Sequence, residues 1–303
     1  MWNKLDRSSY PLLQEYFAHQ TYRLSIYSLP SLIAWGEGAY QAFYDFAGES
    51  LILSMEEGVG ENKDRYLLMP LSRETWAPTW LYELALATGI RQIRFVPGDY
   101  IKTVNEDSIW PWFEIREEKA YADYVYLASD LAELKGNRYA RKRNLIHQFA
   151  RDYLHEERVE IGAIAKAHQA ECLSFLEAWC EERNCDGKGA EKLLICEKKA
   201  IAAALETIED LPWRGLYIRI DGEICGFAIM SKLTGEMGVL NFEKAFGHVK
   251  GLYQFLDREC ARRLFYDLKF INKESDMGIE ALAEAKRSYE PVEMVKSFSL
   301  TAI

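Results

Sequence analysis

The chain has 303 residues, 49% of them hydrophobic and 28% charged, a balance typical of a globular protein large enough for two domains. Its net charge of -10 argues against nonspecific binding to nucleic acid or to an anionic membrane. No apolar run is long enough to span a bilayer, and the N-terminus lacks the apolar core of a signal peptide, so we expect a cytoplasmic protein.

The first part of the chain alternates predicted strands with helical segments. Apolar runs predict strands at residues 51–54, 66–69 and 93–96, with a helix over about residues 76–88 between the last two. Aromatic segments at residues 110–112 and 121–126 add strand-prone material. This alternation favours an α+β fold with α/β layers over a helical bundle.

A basic stretch follows, with five Lys and Arg side chains in the nine residues 135–143. The next helix has an apolar stripe, and we expect Arg138 and Lys142, on the N-terminal extension of that stripe, to face the protein. One interpretation is a solvated charged turn that caps a helix. The other is a recess for phosphate, pyrophosphate or another anion.

The second part begins with two predicted amphipathic helices, marked by Cys172, Phe175, Leu176 and Trp179 and by Leu194, Ile201, Ala204, Leu205 and Ile208. On the second stripe, Glu197 either faces a polar cavity or reaches outward at the edge. An Asp221-Gly222 turn predicts a β-hairpin of residues 215–220 and 223–232. A strand over residues 237–244 and a helix over about residues 252–265 complete this order.

The last region carries a lysine in an unusual place. An apolar run at residues 268–271 predicts a buried strand, and Asp276 is the predicted N-cap of the next helix. In that helix Lys286 shares an apolar face with Leu282, Ala285 and Tyr289. Such a lysine needs a carboxylate, a buried carbonyl or an anionic ligand, because an unpaired buried charge is costly. Glu274 and Asp276 are the nearest candidates, and a last strand is expected near residues 292–300.

Six cysteines lie in the second half of the chain, without a CxxC pair. They are Cys172, Cys180, Cys185, Cys196, Cys225 and Cys260. A metal site would need tighter spacing and histidine partners, so we interpret them as scattered free thiols and predict no metal.

The order of elements resembles the GNAT-type N-acyltransferase fold, in which the loop after the fourth strand binds the pyrophosphate of an acyl carrier through backbone N-H groups. From about Tyr124 onward the motifs resemble the phosphatidylglycerol lysyltransferase C-terminal domain family. They are Tyr124-Val125-Tyr126, Leu131, Leu134, Gly136, Lys142-Arg143-Asn144, Phe149, Gly222, Gly226-Phe227, Glu243-Lys244-Ala245, Gly251, Tyr253, Asn272, Glu274, Asp276, Gly278, Ala285-Lys286, Ser288-Tyr289 and Pro291.

The resemblance implies two tandem GNAT-like domains, at residues 1–145 and 146–303, with mixed, mostly antiparallel sheets flanked by helices. Relatives move an amino acid from aminoacyl-tRNA to a lipid. The chain departs from the family pattern at Lys273, where arginine is frequent, and at Ala283, where a basic residue is expected. Its loop at residues 247–251 also lacks the full glycine-rich signature of acetyltransferases.

Two functions follow as hypotheses. The first is an acyl- or aminoacyltransferase with an amine or hydroxyl acceptor and acyl-CoA or aminoacyl-tRNA as co-substrate. The second is a noncatalytic module that senses a nucleotide, a charged metabolite or a tRNA end. Acyl transfer needs a base and an acid, for which the candidates are Glu243, Tyr253 and Tyr289, with His248 a candidate by position only. A salt bridge from Glu243 to Lys244 or Lys286 is the structural alternative. The predicted substrate and anion ligands are Arg138, Lys142, Arg143, Asn144, Lys244, Asn272, Glu274, Asp276 and Lys286.

Overall fold

Two seven-stranded mixed sheets with flanking helices make up the protein. The computed structural model describes residues 2–36, 38, 40–59, 62–182 and 191–303. The first half contains β1 (Asn3–Lys4), α1 (Tyr10–His19), α2 (Leu29–Trp35), β2 (Tyr40–Ala47), β3 (Ser50–Val59), β4 (Asn62–Leu67), α3 (Pro78–Thr88), β5 (Gln92–Pro97), α4 (Gly98–Val104), α5 (Glu106–Ile109) and β6 (Phe113–Glu117). The strands expected at residues 51–54, 66–69 and 93–96 thus correspond to β3, β4 and β5.

The second half supplies all seven strands of the second sheet and one strand of the first. Its elements are β7 (Asp123–Leu127), α6 (Ala128–Glu133), α7 (Ala140–Phe149), β8 (Val159–Ala163), α8 (Gln169–Glu182), α9 (Glu191–Glu206), β9 (Trp213–Ile220), β10 (Glu223–Lys232), β11 (Met237–Ala245), α10 (Leu252–Arg263), β12 (Phe270–Asn272), α11 (Glu280–Arg287), β13 (Glu293–Val295) and β14 (Ser297–Ala302). The hairpin at the Asp221-Gly222 turn is confirmed as the antiparallel pair β9 and β10.

Relative to the domain boundary predicted at residues 145 and 146, the two sheets exchange one strand each, β7 and β14. The order is β1-β2-β3-β4-β5-β14-β6 in the first and β13-β7-β12-β11-β10-β9-β8 in the second. The C-terminal strand β14 therefore lies between β5 and β6, while β7 lies between β12 and β13. Sheet membership changes between β6 and β7, upstream of the domain boundary predicted at residues 145 and 146.

Side chains and helices from the two halves also pack together. Helix α2 lies against α9, and the ring centroids of Trp35 and Phe242 are 6.0 Å apart. Ser28 Oγ is 2.7 Å from Ser231 Oγ in a buried hydrogen bond between the halves. One hydrophobic cluster runs through residues of both halves, so the sheets share a core.

The predicted helix start at Asp276 is wrong. Helix α11 begins at Glu280 with Ile279 as its N-cap residue, and the Asp276 carboxylate instead accepts a hydrogen bond from the Gly278 N-H at 2.8 Å. Asp276 therefore closes a turn before the helix. Met277 and Gly278 in that turn have positive φ angles, which place the chain outside the helical region.

Two remaining expectations concern membranes and thiols. Among the residues that the structure describes, no helix combines the length and the apolar character needed to cross a membrane. Cys172, Cys225 and Cys260 are free thiols. Cys185 and the side chain of Cys196 lie outside the described part of the chain.

Candidate active site where two parallel strands separate

The candidate site lies where β11 and β12 diverge. These parallel strands pair over three residues only, ending at Val239 and Asn272, and β11 then continues alone on this side to Ala245. On its other side β11 pairs with β10. Ile229 of β10 lies opposite Phe242 and Met230 lies opposite Leu240, so Asn241 has no partner in this ladder and forms a β-bulge. Such a bulge redirects side chains and is frequent beside active sites.

Glu243, Lys273 and Asp257 form a buried ionic chain at this divergence. Lys273 Nζ lies 3.1 Å from Glu243 Oε2 and 2.6 Å from Asp257 Oδ1. The side chains of Glu243, Lys273 and Asp257 are 15%, 12% and 7% exposed. Glu243 Oε1 is buried without a hydrogen-bond partner among the described residues. The expected alternative, a salt bridge to Lys244 or Lys286, is wrong, because the partner of Glu243 is Lys273.

The ionic chain adjusts the proton affinity of its members. Burial, reinforced by the negative charge of Asp257, raises the pKa of Glu243 to about 7, against the opposing effect of Lys273. Burial lowers the pKa of Lys273, but the carboxylates of Asp257 and Glu243 outweigh burial and raise it overall. Glu243 can therefore take up or release a proton near neutral pH while Lys273 stays charged.

Tyr289 and Lys142 border this chain. Lys142 Nζ lies 3.7 Å from the centroid of the Tyr289 ring and donates a hydrogen bond to Ser288 Oγ at 2.7 Å. Burial lowers the pKa of Lys142. Burial, together with the charge of Asp257, raises the pKa of Tyr289 well above its usual value. Tyr289 is thus a neutral hydrogen-bonding group at neutral pH, and Lys142 brings a second cation to the site.

Lys286 is bound by backbone carbonyls, one of the three kinds of partner that the sequence allowed. Its Nζ donates to the carbonyls of Lys273 and Ser275 at 2.6 Å each and to that of Glu274 at 3.2 Å. Burial lowers the pKa of Lys286 to about 8, with Glu274 opposing the shift. Burial likewise raises the pKa of Glu274 to about 8, with Lys286 opposing. The Lys286 side chain thus fixes the loop that carries Lys273.

Asn272 and Asp276 connect the same loop to other elements. Asn272 Nδ2 donates to Asp123 Oδ2 at 2.9 Å and to the Arg23 carbonyl at 3.0 Å. Its Oδ1 accepts from the Glu274 N-H at 2.7 Å. Asp276 accepts from the Tyr124 hydroxyl at 2.6 Å. These predicted ligands therefore have partners within the protein and hold the loop in place.

Lys244 and Tyr253 lie in a separate group. Adjacent residues of a strand point to opposite faces, so Lys244 leaves the sheet away from Glu243. Lys244 Nζ binds Glu197 Oε1 at 2.6 Å, which makes Glu197 a paired carboxylate. The Tyr253 hydroxyl accepts a hydrogen bond from Trp179 Nε1 at 3.2 Å. Neither Lys244 nor Tyr253 joins the ionic chain.

The rest of the predicted basic recess is not assembled. Arg138 is exposed and pairs with Asp130 at 2.7 Å, so the expectation that it faces the protein is wrong. Arg143 donates to the carbonyls of Leu134 and Gly136 at 2.5 and 2.6 Å and holds the preceding turn. Asn144 is exposed. Of this stretch, only Lys142 reaches the candidate site.

Sequence reasoning missed two members of the ionic chain. Asp257 is a buried carboxylate among the apolar residues of α10, and this is the same signal that singled out Lys286. Lys273 was noted only as a departure from the family pattern, although it directly follows a buried strand. The bulge at Asn241 left no signal, because it depends on the pairing of β10 with β11.

The loop after β11 is bound by a carboxylate of the protein itself. Glu182, the last residue of α8, accepts from the N-H groups of His248 at 3.1 Å and Gly247 at 3.4 Å, and it lies 2.9 Å from His248 Nδ1. In this loop, the N-H groups of Gly247 and His248 therefore already bind an anion, the Glu182 carboxylate.

The same loop approaches α7 closely, because a Cβ atom on Gly251 would lie 2.1 Å from the Leu145 carbonyl oxygen.

Comparisons with known proteins show what the whole chain is similar to. Residues 27–301 match the family described as phosphatidylglycerol lysyltransferase, C-terminal. The chain belongs to this family. A conserved protein of unknown function from Bacteroides thetaiotaomicron VPI-5482 is 27% identical, with a TM-score of 0.87 over 100% of this chain and 99% of that chain.

A second solved structure supports the fold of the phosphatidylglycerol lysyltransferase C-terminal family. The C-terminal domain of a candidate lysylphosphatidylglycerol synthetase from Agrobacterium fabrum is 15% identical, with a TM-score of 0.61 over 97% of this chain and 91% of that chain. No curated protein matches the chain. The expected α+β fold with mixed sheets flanked by helices is confirmed, and the family supports acyltransferase chemistry.

Proposed function

We propose that the protein is an acyl- or aminoacyltransferase that acts on an amine or a hydroxyl group. The observation that carries this proposal is Glu243, a buried carboxylate with a pKa of about 7 and one oxygen without a partner. A carboxylate with this proton affinity is suited to serve as a general base near neutral pH. Its place at the divergence of β11 and β12 is where a substrate could enter between two strand ends.

In the proposed reaction Glu243 takes the proton of the acceptor as its nitrogen or oxygen attacks the carbonyl carbon of the donor. A new amide or ester bond forms, the bond from the carbonyl carbon to the carrier breaks, and the carrier oxygen or sulfur leaves with the proton that Glu243 took from the acceptor. The ammonium groups of Lys273 and Lys142 favour the negative charge that develops on the carbonyl oxygen. Asp257 positions Lys273 through the 2.6 Å ion pair.

For the donor, we propose an aminoacyl ester such as aminoacyl-tRNA in preference to acyl-CoA. Pyrophosphate recognition in a GNAT fold relies on free N-H groups in the loop after the fourth strand. Glu182 already occupies two of these groups in the second half, and its negative charge would repel a pyrophosphate. The proposed acceptor carries an amine or a hydroxyl group.

The test is a transfer assay read by mass spectrometry, with labelled aminoacyl-tRNA and acyl-CoA donors offered to amine and hydroxyl acceptors, including phospholipids. We expect product from an aminoacyl-tRNA, and loss of at least about 100-fold in turnover for Glu243→Gln with donor affinity retained. Glu223→Gln, an exposed carboxylate on β10, is the matched control and should keep full turnover.

The outcomes separate the two hypotheses. Product from acyl-CoA alone would overturn the donor assignment, and equal turnover in Glu243→Gln would remove Glu243 as the base. Donor binding without product in any combination would favour the noncatalytic module that senses a nucleotide, a charged metabolite or a tRNA end. In that case Lys142→Ala should still weaken the binding of an anionic ligand.

A further inference from the structure

A second cleft lies in the first half of the chain, outside the Glu243 chain. It has a volume of about 210 Å3 and is lined by the segment after α1, the loop between β4 and α3, and the start of α4. This volume would hold roughly seven waters at 30 Å3 each, close to the size of an amino acid. The cleft meets the second sheet only at Val295 of β13.

The cleft lies at the position in the first sheet that corresponds, in the second sheet, to the loop of residues 247–251 bound by Glu182. Strands β4 and β5 are parallel and pair only at Leu67 and Ile93, as β11 and β12 pair only briefly before they diverge. The loop after β4 leads into α3, just as the loop after β11 leads into α10. In the second half the Glu182 carboxylate fills that loop, whereas in the first half the corresponding loop borders a cleft.

The charged groups of the cleft balance. Arg73 is exposed and has no ion pair or hydrogen bond within the described ranges, so its charge is available to a ligand. Arg23 pairs with Glu293 at 2.8 Å. Glu74 and Asp99 bring two carboxylates to the lining, and Asp99 lies 3.5 Å from Lys102 Nζ. Two guanidinium groups and two carboxylates suit a zwitterion better than a phosphate, which would meet the carboxylates at a cost.

Two residues of the cleft wall contain buried polar atoms that lack a partner within the described ranges. Gln20 is 6% exposed; its Nε2 donates to the Leu233 carbonyl at 2.8 Å, and its Oε1 has no donor. Trp76 Nε1 has no acceptor among the residues that the structure describes. Burying a polar group without a partner destabilises the protein. A ligand with an N-H donor and a carboxylate acceptor could supply both bonds after a small movement of the wall.

The rest of the lining is mixed: Tyr22 and Tyr100 contribute to its apolar part together with Leu71, Pro97 and Val295. The Tyr22 and Tyr100 hydroxyls donate to the carbonyls of Pro70 and Trp76 at 3.0 Å each, so their protons are already used within the protein. We propose that this cleft binds a small amino-acid-like zwitterion, with its carboxylate at Arg73 and its ammonium between Glu74 and Asp99. The aromatic rings then receive an apolar side chain.

The experiment is a thermal-shift screen of the full chain against each free proteinogenic amino acid, since a ligand of the folded state raises the melting temperature by mass action. The best amino acid is then compared with its decarboxylated amine, its des-amino carboxylic acid and inorganic phosphate. Binding at the cleft is located by the NMR signal of the Trp76 indole N-H, assigned with Trp76→Phe.

We expect one or more amino acids with apolar side chains to raise the melting temperature and move the Trp76 signal. Arg73→Ala should lose at least about tenfold in affinity without changing the ligand-free melting temperature, because Arg73 is exposed and unpaired. Arg116→Ala, an exposed arginine on β6 of the same sheet, should bind as the wild type does.

Three results would overturn the proposal: no shift with any amino acid, equal binding by Arg73→Ala, or stronger binding of the amine or of phosphate than of the zwitterion. The proposal is independent of the transferase reaction, so Glu243→Gln should bind the amino acid unchanged. A transfer assay that fails leaves this binding test intact, and the reverse also holds.

Discussion

At the scale of the single residue, Glu243 should make stability depend on pH. Burial raises its pKa from 4.5 to about 7, so the folded state holds this proton more tightly than the unfolded state does. The contribution of Glu243 to stability should therefore be largest below pH 4.5 and fall as pH rises toward 7. In Glu243→Gln this loss disappears, and the free energy of unfolding of the variant relative to wild type should increase by about 3 kcal/mol across that range.

Urea unfolding at a series of pH values measures this difference. The control is Glu223→Gln, whose curve should run parallel to that of the wild type because Glu223 is exposed in both states. A constant difference between Glu243→Gln and wild type at every pH would mean that Glu243 is ionised as easily in the folded state as in the unfolded state.

Lys286 shows how far the sequence alone could lead. Helical spacing placed this lysine on an apolar face and limited its partner to a carboxylate, a carbonyl or an anion. It could not select the carbonyls of residues 273–275, because that choice depends on how the loop folds back onto α11. The same loop explains the wrong N-cap at Asp276, whose side chain fits a turn as well as a helix start.

At the scale of the element, the contact between α7 and the start of α10 depends on Gly251. Its φ of 84° is unfavourable for other residues, and a Cβ atom would lie 2.1 Å from the Leu145 carbonyl oxygen. Gly251→Ala therefore combines backbone strain with a collision between two helices. We expect a loss of roughly 3 kcal/mol or more in the free energy of unfolding, measured by urea denaturation.

Gly222→Ala separates the two causes. Gly222 has a similar φ of 89°, but nothing lies within 4 Å of its would-be Cβ atom, so only the backbone cost of about 1 kcal/mol applies. Equal losses in the two variants would show that α7 yields to the added methyl group, and that the close approach of the two helices contributes no stability.

The sequence predicted elements better than their pairing. The helix α3, the β9 and β10 hairpin and the apolar stripe of α8 follow from periodicity and turn residues, which are local signals. The exchange of β7 and β14 between the sheets is not local: each is a short strand of ordinary composition whose position is decided by partners far away in the chain. For the same reason the divergence of β11 and β12 could not be predicted.

At the scale of the whole molecule, the exchanged strands should make the two halves unfold together. Strand β14 completes the first sheet. Weakening its packing there should therefore also release the C-terminal end of the second half. Leu300 in β14 is fully buried, and Leu300→Ala should cost about 2–5 kcal/mol. If the molecule unfolds cooperatively, Leu300→Ala lowers the free energy of opening by the same amount at every site that opens only when the whole molecule unfolds.

Cys260 provides a reporter in the other sheet's core. It is fully buried in α10, and every cysteine of the chain lies after residue 171. Pulsed thiol labelling of Cys260 and tryptophan fluorescence, to which six of the eight tryptophans contribute from the first half, should follow one transition in urea, which Leu300→Ala moves as a whole to lower urea. If Leu300→Ala lowered only the transition of the first half and left the labelling of Cys260 unchanged, the exchanged strands would be joining two sheets that unfold independently.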